Sequence, residues 1–172
     1  MIYSFRVSER ITHCLRLNNP NQLSFSFIES PFDAAVGGTS TTKTEANIGS
    51  EIWNDRLYSI SSISDELLGA TLFQTNHYVD SRTMWIYSNR NAEIFIAVYE
   101  ELGRDGGLMD ALQADGWTLK NGWYMEWNGW SGRHKLNKVW SKNVKAGETI
   151  FFTSTENSMT FAILIKEGKS LV

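Results

Sequence analysis

One cysteine, Cys14, stands in 172 residues, so an intrachain disulfide is impossible and a zinc site built on several thiolates is excluded. Cys14 lies in the apolar run from Ile11 to Leu17, has no nucleophile context and reads as a small buried hydrophobe. No stretch approaches the roughly 20 apolar residues of a membrane-spanning helix. The opening MIYSFRVSER lacks the basic and apolar regions of a Sec signal. The expectation is a chain without membrane insertion or a Sec-type address; its compartment stays open, with an extracellular surface or a virion both compatible. A basic excess is missing too: the formal charge is −3 and the pI near 5.6, which supplies no field for phosphate backbones and argues against nucleic acid as a partner.

Motifs of catalysis and cofactor binding are also absent. His13, His77 and His134 are far apart, and none belongs to a His-x-x-x-His or His-Glu-x-x-His pattern. The glycines of GRDGG are not followed by the Gly-Lys-Ser/Thr ending that cradles phosphate. Asp105, Asp110 and Asp115 crowd into RDGGLMDALQADG. Carboxylates in a Gly-rich loop are ordinarily solvated turn formers; the alternative, a calcium site, lacks the EF-hand spacing. The sequence therefore predicts no cofactor, no metal and no enzyme.

What the chain has is aromatic side chains, with seven Trp, six Tyr and nine Phe. Such a load suits strand-rich cores and stacking surfaces alike. Three apolar runs, 2–7, 11–17 and 23–28, read as N-terminal strands, and the third alternates Leu23, Phe25 and Phe27 with serines. The stretch GGTSTTKTEANIGS, residues 37–50, holds almost no large apolar residue and reads as a surface loop or linker. Residues 1–48 are thus expected to be a β extension with a flexible linker, and 49–172 the main domain.

That main domain is a succession of strand-like segments: 57–61, 70–75, 83–87, 92–99, 117–119, 123–127, 138–144, 149–153 and 159–166. Turn residues separate them, Gly147 in KAGET among them. EIFIAVY (93–99) and MTFAILI (159–165) are nearly continuous apolar runs, as expected of central strands covered on both faces. Ser64 in SDELL is placed to cap one short helical turn, and no segment carries a long helical stripe. The pattern predicts an all-β fold, an antiparallel β-sandwich of two sheets with an N-terminal β extension.

The phrase WNDRLYSISSISDELLGATLFQT carries Asp55, Arg56 and Tyr58 ahead of a strand, then Leu67, Gly69 and Ala70 at a short turn. IFIAVYEELG, followed by DALQADGWTL with Gly116, Trp117 and Thr118, and the closing VWSKNVKAGETIFF add to it. Together these resemble a galactose-binding-like, jelly-roll accessory β-sandwich domain of bacterial secreted polysaccharide-degrading enzymes. The resemblance covers about the C-terminal two thirds and implies the sandwich fold, with Trp117 in the core.

The candidate ligand-binding stretch is GWYMEWNGWSGRHK, where Trp123, Tyr124, Trp127 and Trp130 stand beside Asn128, Arg133 and His134. Along a strand, residues 123, 125 and 127 share one face. Trp123 and Trp127 then form either a sugar-stacking platform or part of the core, while Trp130, flanked by Gly129, Ser131 and Gly132, is the better placed for stacking. Asn and Arg supply directional hydrogen bonds to hydroxyls. The expected function is a non-catalytic recognition or adhesion module whose loops contact a glycan or a protein surface. The alternative is a structural subunit of a larger assembly, such as a virion decoration or appendage protein, whose N-terminal strands pair with a neighbour, in a homo-oligomer or with another assembly partner. A small hydrolase ranks last.

Overall fold

The computed structural model describes residues 31–38, 41–77, 83–99, 107–129, 132–153 and 161–168. The chain divides into two compact units, Met1–Phe32 and Asp33–Val172, and the elements described below belong to the second. The N-terminal strand runs, His13 and Cys14 lie outside the described residues.

The second unit holds strands β1 (Ala34–Gly37), β2 (Thr42–Glu45), β3 (Ser59–Ile63), β4 (Thr71–Gln74), β5 (Thr83–Ser88) and β6 (Ala92–Val98). One short helix follows, α1 (Leu108–Ala114), and then β7 (Thr118–Lys120), β8 (Met125–Gly129), β9 (Gly132–Leu136), β10 (Lys138–Val144), β11 (Thr149–Thr153) and β12 (Phe161–Glu167). The fold is the expected all-β sandwich, and every strand pair in its sheets is antiparallel. Three sheets build it instead of two: a six-stranded sheet in the order β2-β4-β12-β6-β10-β7, and two three-stranded sheets, β1-β5-β11 and β3-β8-β9.

The two continuous apolar runs sit at the centre, as β6 and β12, paired from Val98↔Phe161 to Ala92↔Glu167. Both of their faces are buried. Phe95 and Ala97 of β6 and Ala162 and Leu164 of β12 pack against Ile60, Ile63, Met125, Trp127 and Leu136, which sets the β3-β8-β9 sheet on that side. On the opposite side Ile94, Ile96, Phe161 and Ile163 are equally buried, and Phe152 of β11 meets Phe161 edge-on at 6.0 Å. A strand hidden on both faces gains nothing from alternation, hence the unbroken hydrophobicity of EIFIAVY and MTFAILI.

Three expectations need correction. The stretch 37–50 is not simply a loop: Thr42–Glu45 is an edge strand, in register with Thr71–Gln74, and β1 pairs with β5. Its side chains are mostly exposed, and threonine suits an extended backbone without needing a buried face, so low hydropathy there marks a sheet edge. Leu108–Ala114 is helical, burying Leu108 and Leu112 one turn apart. Ser64 caps no helix: residues 65–69 form a turn, and its hydroxyl accepts the Tyr124 N–H at 2.9 Å. The turn at 145–148 forms as read, with Gly147 at φ 78° donating its N–H to the Ser88 carbonyl.

Candidate recognition rim

One end of the sandwich is organised around Trp53, whose side chain is wholly buried. Its backbone bridges Thr75 in parallel, its neighbour Asn54 donates to the Thr75 carbonyl, and its indole Nε1–H donates to the Phe161 carbonyl at 3.0 Å. From there the chain loops out through Asp55, Arg56 and Leu57 and returns where the Tyr58 carbonyl accepts the Ile52 N–H. The Asp55 carboxylate accepts the backbone N–H of His77 at 2.8 Å, tying this loop to the end of β4. The Asp-Arg-x-Tyr phrase thus does structural work: Asp55 holds a neighbouring segment, and Tyr58 presents its ring to Trp53.

Around Trp53 the rings meet edge to face. Tyr58 stands 6.3 Å away, His77 4.5 Å and Trp127 5.2 Å, all near perpendicular. Trp127 continues the cluster: Tyr99 meets it edge-on at 5.4 Å, and His134, its partner across the β8–β9 hairpin, stacks on it at 5.2 Å. Tyr99 Oη lies 3.4 Å from His134 Nδ1. Such contacts contribute about 0.5–1.5 kcal/mol each beyond buried area, so the cluster fixes the rim's geometry. Half-buried His77 titrates below the usual histidine value of 6.5, chiefly because burial disfavours its charged form and secondarily because Arg56 is near; Asp55 opposes the effect and His134 adds to it slightly.

The expected ligand-binding residues separate into two faces of the β3-β8-β9 sheet. Trp123 and Trp127 do share one face, and it is the core side: Trp127 is 3% exposed, and Trp123 is half-buried with its ring 5.7 Å from Phe95. They form no solvent platform, because this face must cover Phe95 and Ala97 of the central sheet. The outward face carries Tyr124, Glu126 and Asn128, joined across the hairpin by Arg133 and Lys135. Tyr124 is enclosed by its own neighbours, with Lys135 Nζ 3.7 Å above its ring and its hydroxyl 3.1 Å from Ser62 Oγ. Asn128 and Arg133 are exposed and face each other near the turn end of the hairpin, one pair in from Gly129 and Gly132. Trp130 lies outside the described residues.

The aspartates of the 103–116 segment do not converge. Asp110 is exposed on α1, Asp115 pairs with Lys142 at 2.8 Å and accepts the Trp117 indole N–H, and Asp105 lies outside the described residues. Among the described residues no group of three or more His, Cys, Asp or Glu is placed to hold a metal ion. No helix among them is long and apolar enough to cross a membrane. Sequence reasoning missed Trp53, Tyr58, His77 and Tyr99 as parts of this end; the Trp-x-Asp-Arg-x-Tyr spacing, with its four aromatic or charged residues, signalled the first two, and nothing local signalled His77 or Tyr99.

Fold and rim define an antiparallel β-sandwich with an aromatic-buttressed end. No family model and no curated protein matches the sequence. Among solved structures the chain is similar to a beta-glucuronidase from glycoside hydrolase family 2, with a TM-score of 0.57 and 14% identity, over 91% of this chain and 16% of that one. A glycoside hydrolase family 138 enzyme targeting pectin rhamnogalacturonan II also matches, with a TM-score of 0.49 and 17% identity, over 75% of this chain and 16% of that one. The chain spans about one sixth of the length of each, and the first likeness is one of fold.

Proposed function

We propose that this domain is a non-catalytic recognition module that binds carbohydrate at the rim formed by residues 53–58 and the β8–β9 hairpin. The observation that carries this reading is the Asn128–Arg133 pair. An amide and a planar guanidinium fork stand exposed on a hairpin whose neighbouring pair, Trp127 and His134, is locked by stacking into the aromatic cluster. Directional donors and acceptors on a rigid support suit vicinal hydroxyls, whose recognition depends on hydrogen-bond geometry more than on net charge. The fold likeness to part of a beta-glucuronidase supports a carbohydrate context. So does the resemblance of residues 53–75 to accessory sandwich domains of polysaccharide-degrading enzymes.

A glycan array probed with the full chain, followed by titration of each hit against Arg133→Ala and Asn128→Ala, tests the reading. At least a tenfold loss of affinity is expected from Arg133→Ala, with an unchanged melting temperature. An array without binding, or variants that bind like the parent chain, would overturn it. Release of reducing sugar from a bound glycan would overturn its non-catalytic part.

A further inference from the structure

Strand β5 reads Thr-Met-Trp-Ile-Tyr-Ser, and its burial alternates strictly: Met84, Ile86 and Ser88 face the core, while Thr83, Trp85 and Tyr87 face outward. The outward positions are the bulky aromatic ones, an inversion of the usual pattern for a solvated face. Register extends the row across the three-stranded sheet: Trp85 lies between Gly37 of β1 and Phe151 of β11, and Tyr87 lies between Ala35 and Thr149. Trp85 is 37% exposed and Phe151 60% exposed. Among the described residues the other large exposed apolar side chains, Ile48 and Leu57, stand on separate loops, where single exposure needs no explanation.

Gly37 shows how the indole is held. A Cβ built there would fall 2.0–2.3 Å from three atoms of the Trp85 ring, so the ring lies directly on the glycine backbone. A side chain at position 37 would lift it away. The sheet therefore provides a shelf on which a tryptophan rests, with Phe151 beside it in the same cross-strand row. Directly opposed side chains on neighbouring strands stand about 4.5–5.5 Å apart at Cβ, close enough for two rings to form one surface.

The charge of this face selects its occupant. The outward residues in register here, Ala35, Gly37, Trp85, Tyr87, Thr149 and Phe151, carry no formal charge. The outward face of β3-β8-β9, by contrast, carries Glu126, Arg133 and Lys135. An uncharged aromatic strip edged by threonine hydroxyls matches a neutral sugar chain, whose pyranose rings present C–H faces for stacking and hydroxyls at their edges.

We propose that the outward face of the β1-β5-β11 sheet, centred on Trp85 and Phe151, is a second binding surface that takes a neutral polysaccharide chain by stacking. It is separate from the rim and goes beyond the reading given for it. Affinity electrophoresis of the full chain tests it, in gels cast with xylan, galactomannan or mixed-linkage β-glucan as neutral polymers and polygalacturonate as an acidic one. At least one neutral polymer is expected to retard the protein, and retardation should persist in 1 M NaCl because no ion pair is involved, about the salt at which the screening length falls to roughly 3 Å. Trp85→Ala and Phe151→Ala should each weaken it at least tenfold. Gly37→Ala should do the same while keeping every aromatic ring, because the added methyl dislodges the indole.

Arg133→Ala should leave this retardation in place, which separates failure of the strip from failure of the rim. Circular dichroism checks that each variant is folded; should Trp85→Ala unfold, Phe151→Ala, at a more exposed site, carries the test. No retardation by any neutral polymer, or full retardation of both aromatic variants, overturns the proposal. So does sedimentation showing a dimer that Phe151→Ala dissociates, which would give the face to a second copy of the chain.

Discussion

Two buried tryptophans offer a matched experiment on what holds the rim. Trp53 and Trp140 are both buried, at 0% and 7% exposure. The Trp53 indole donates to the Phe161 carbonyl, whereas Trp140 Nε1 is buried with no acceptor among the described residues. Replacing either by Phe deletes the pyrrole part of the ring, at a cost of about 2 kcal/mol in transfer and packing. At position 53 the substitution also removes a hydrogen bond worth about 1 kcal/mol and disturbs the edge contacts with His77 and Trp127, for a total near 3–4 kcal/mol. At position 140 it removes an unsatisfied donor whose burial costs about 1–3 kcal/mol, so the change nearly cancels. The expected gap between the variants is about 3 kcal/mol, or roughly 6–12 °C in melting temperature for a domain of this size. Urea unfolding followed by far-ultraviolet dichroism measures it without relying on the tryptophans as probes. Equal midpoints for Trp53→Phe and Trp140→Phe, at equal m-values, would refute the assignment of the indole hydrogen bond as a determinant of stability.

Three further outcomes follow from the geometry. Because His77 titrates below 6.5 in the folded chain, its neutral form is the one the fold prefers; its contribution is fully present above pH 6.5 and is lost as pH falls below that value. Thermal melting across pH 7.5 to 5 should show this loss, and His77→Gln should flatten the curve; a parallel curve would count against it. Gly147→Ala, at φ 78°, should cost about 1–2 kcal/mol by forcing a side chain into the left-handed region, read as a lower denaturation midpoint. Asp115→Asn, which breaks an exposed ion pair with Lys142, should change stability by less than about 1 kcal/mol in the same assay.

How far the sequence reveals this fold depends on which signal each element carries. Strands β10 and β11 have the bounds their alternation and the KAGET turn imply, and the two continuous apolar runs are the adjacent central strands. Those runs also held the evidence for a third layer, since a two-layer sandwich leaves one face of each sheet in water. Polar strands were harder to see. Thr42–Glu45 and Gly132–Leu136 owe their extended form to the neighbour they pair with, which local composition does not encode. Helix α1 is under two turns long and its N-cap residue, Gly107, supplies no side-chain cap, so it offered neither periodicity nor punctuation.

At the candidate site, parity along β8 put Trp123 and Trp127 together. The alternation of Glu126 and Asn128 with them was the signal that theirs is the core face. The pairing of Trp53 with His77, Trp127 and Phe161 joins segments remote in sequence, and no local pattern announces it. The strip on β5 was legible in part. The segment was legible as a strand, but Met84 to Tyr87 is an unbroken apolar run, so which side met solvent is read only from burial in the folded sheet.

Strand β12 slots between β4 and β6, two strands made long before it on the ribosome. Until Phe161–Glu167 emerges, Leu72 and Phe73 on one side and Ile94 through Val98 on the other border an unfilled gap, with open backbone edges inside what will become the core. Of the described strands of the central sheet, this middle one is therefore the last to be made. Strand-rich topologies fold on roughly millisecond-to-second timescales, and until β12 docks the edges of β4 and β6 are the surfaces most exposed to pairing with other chains.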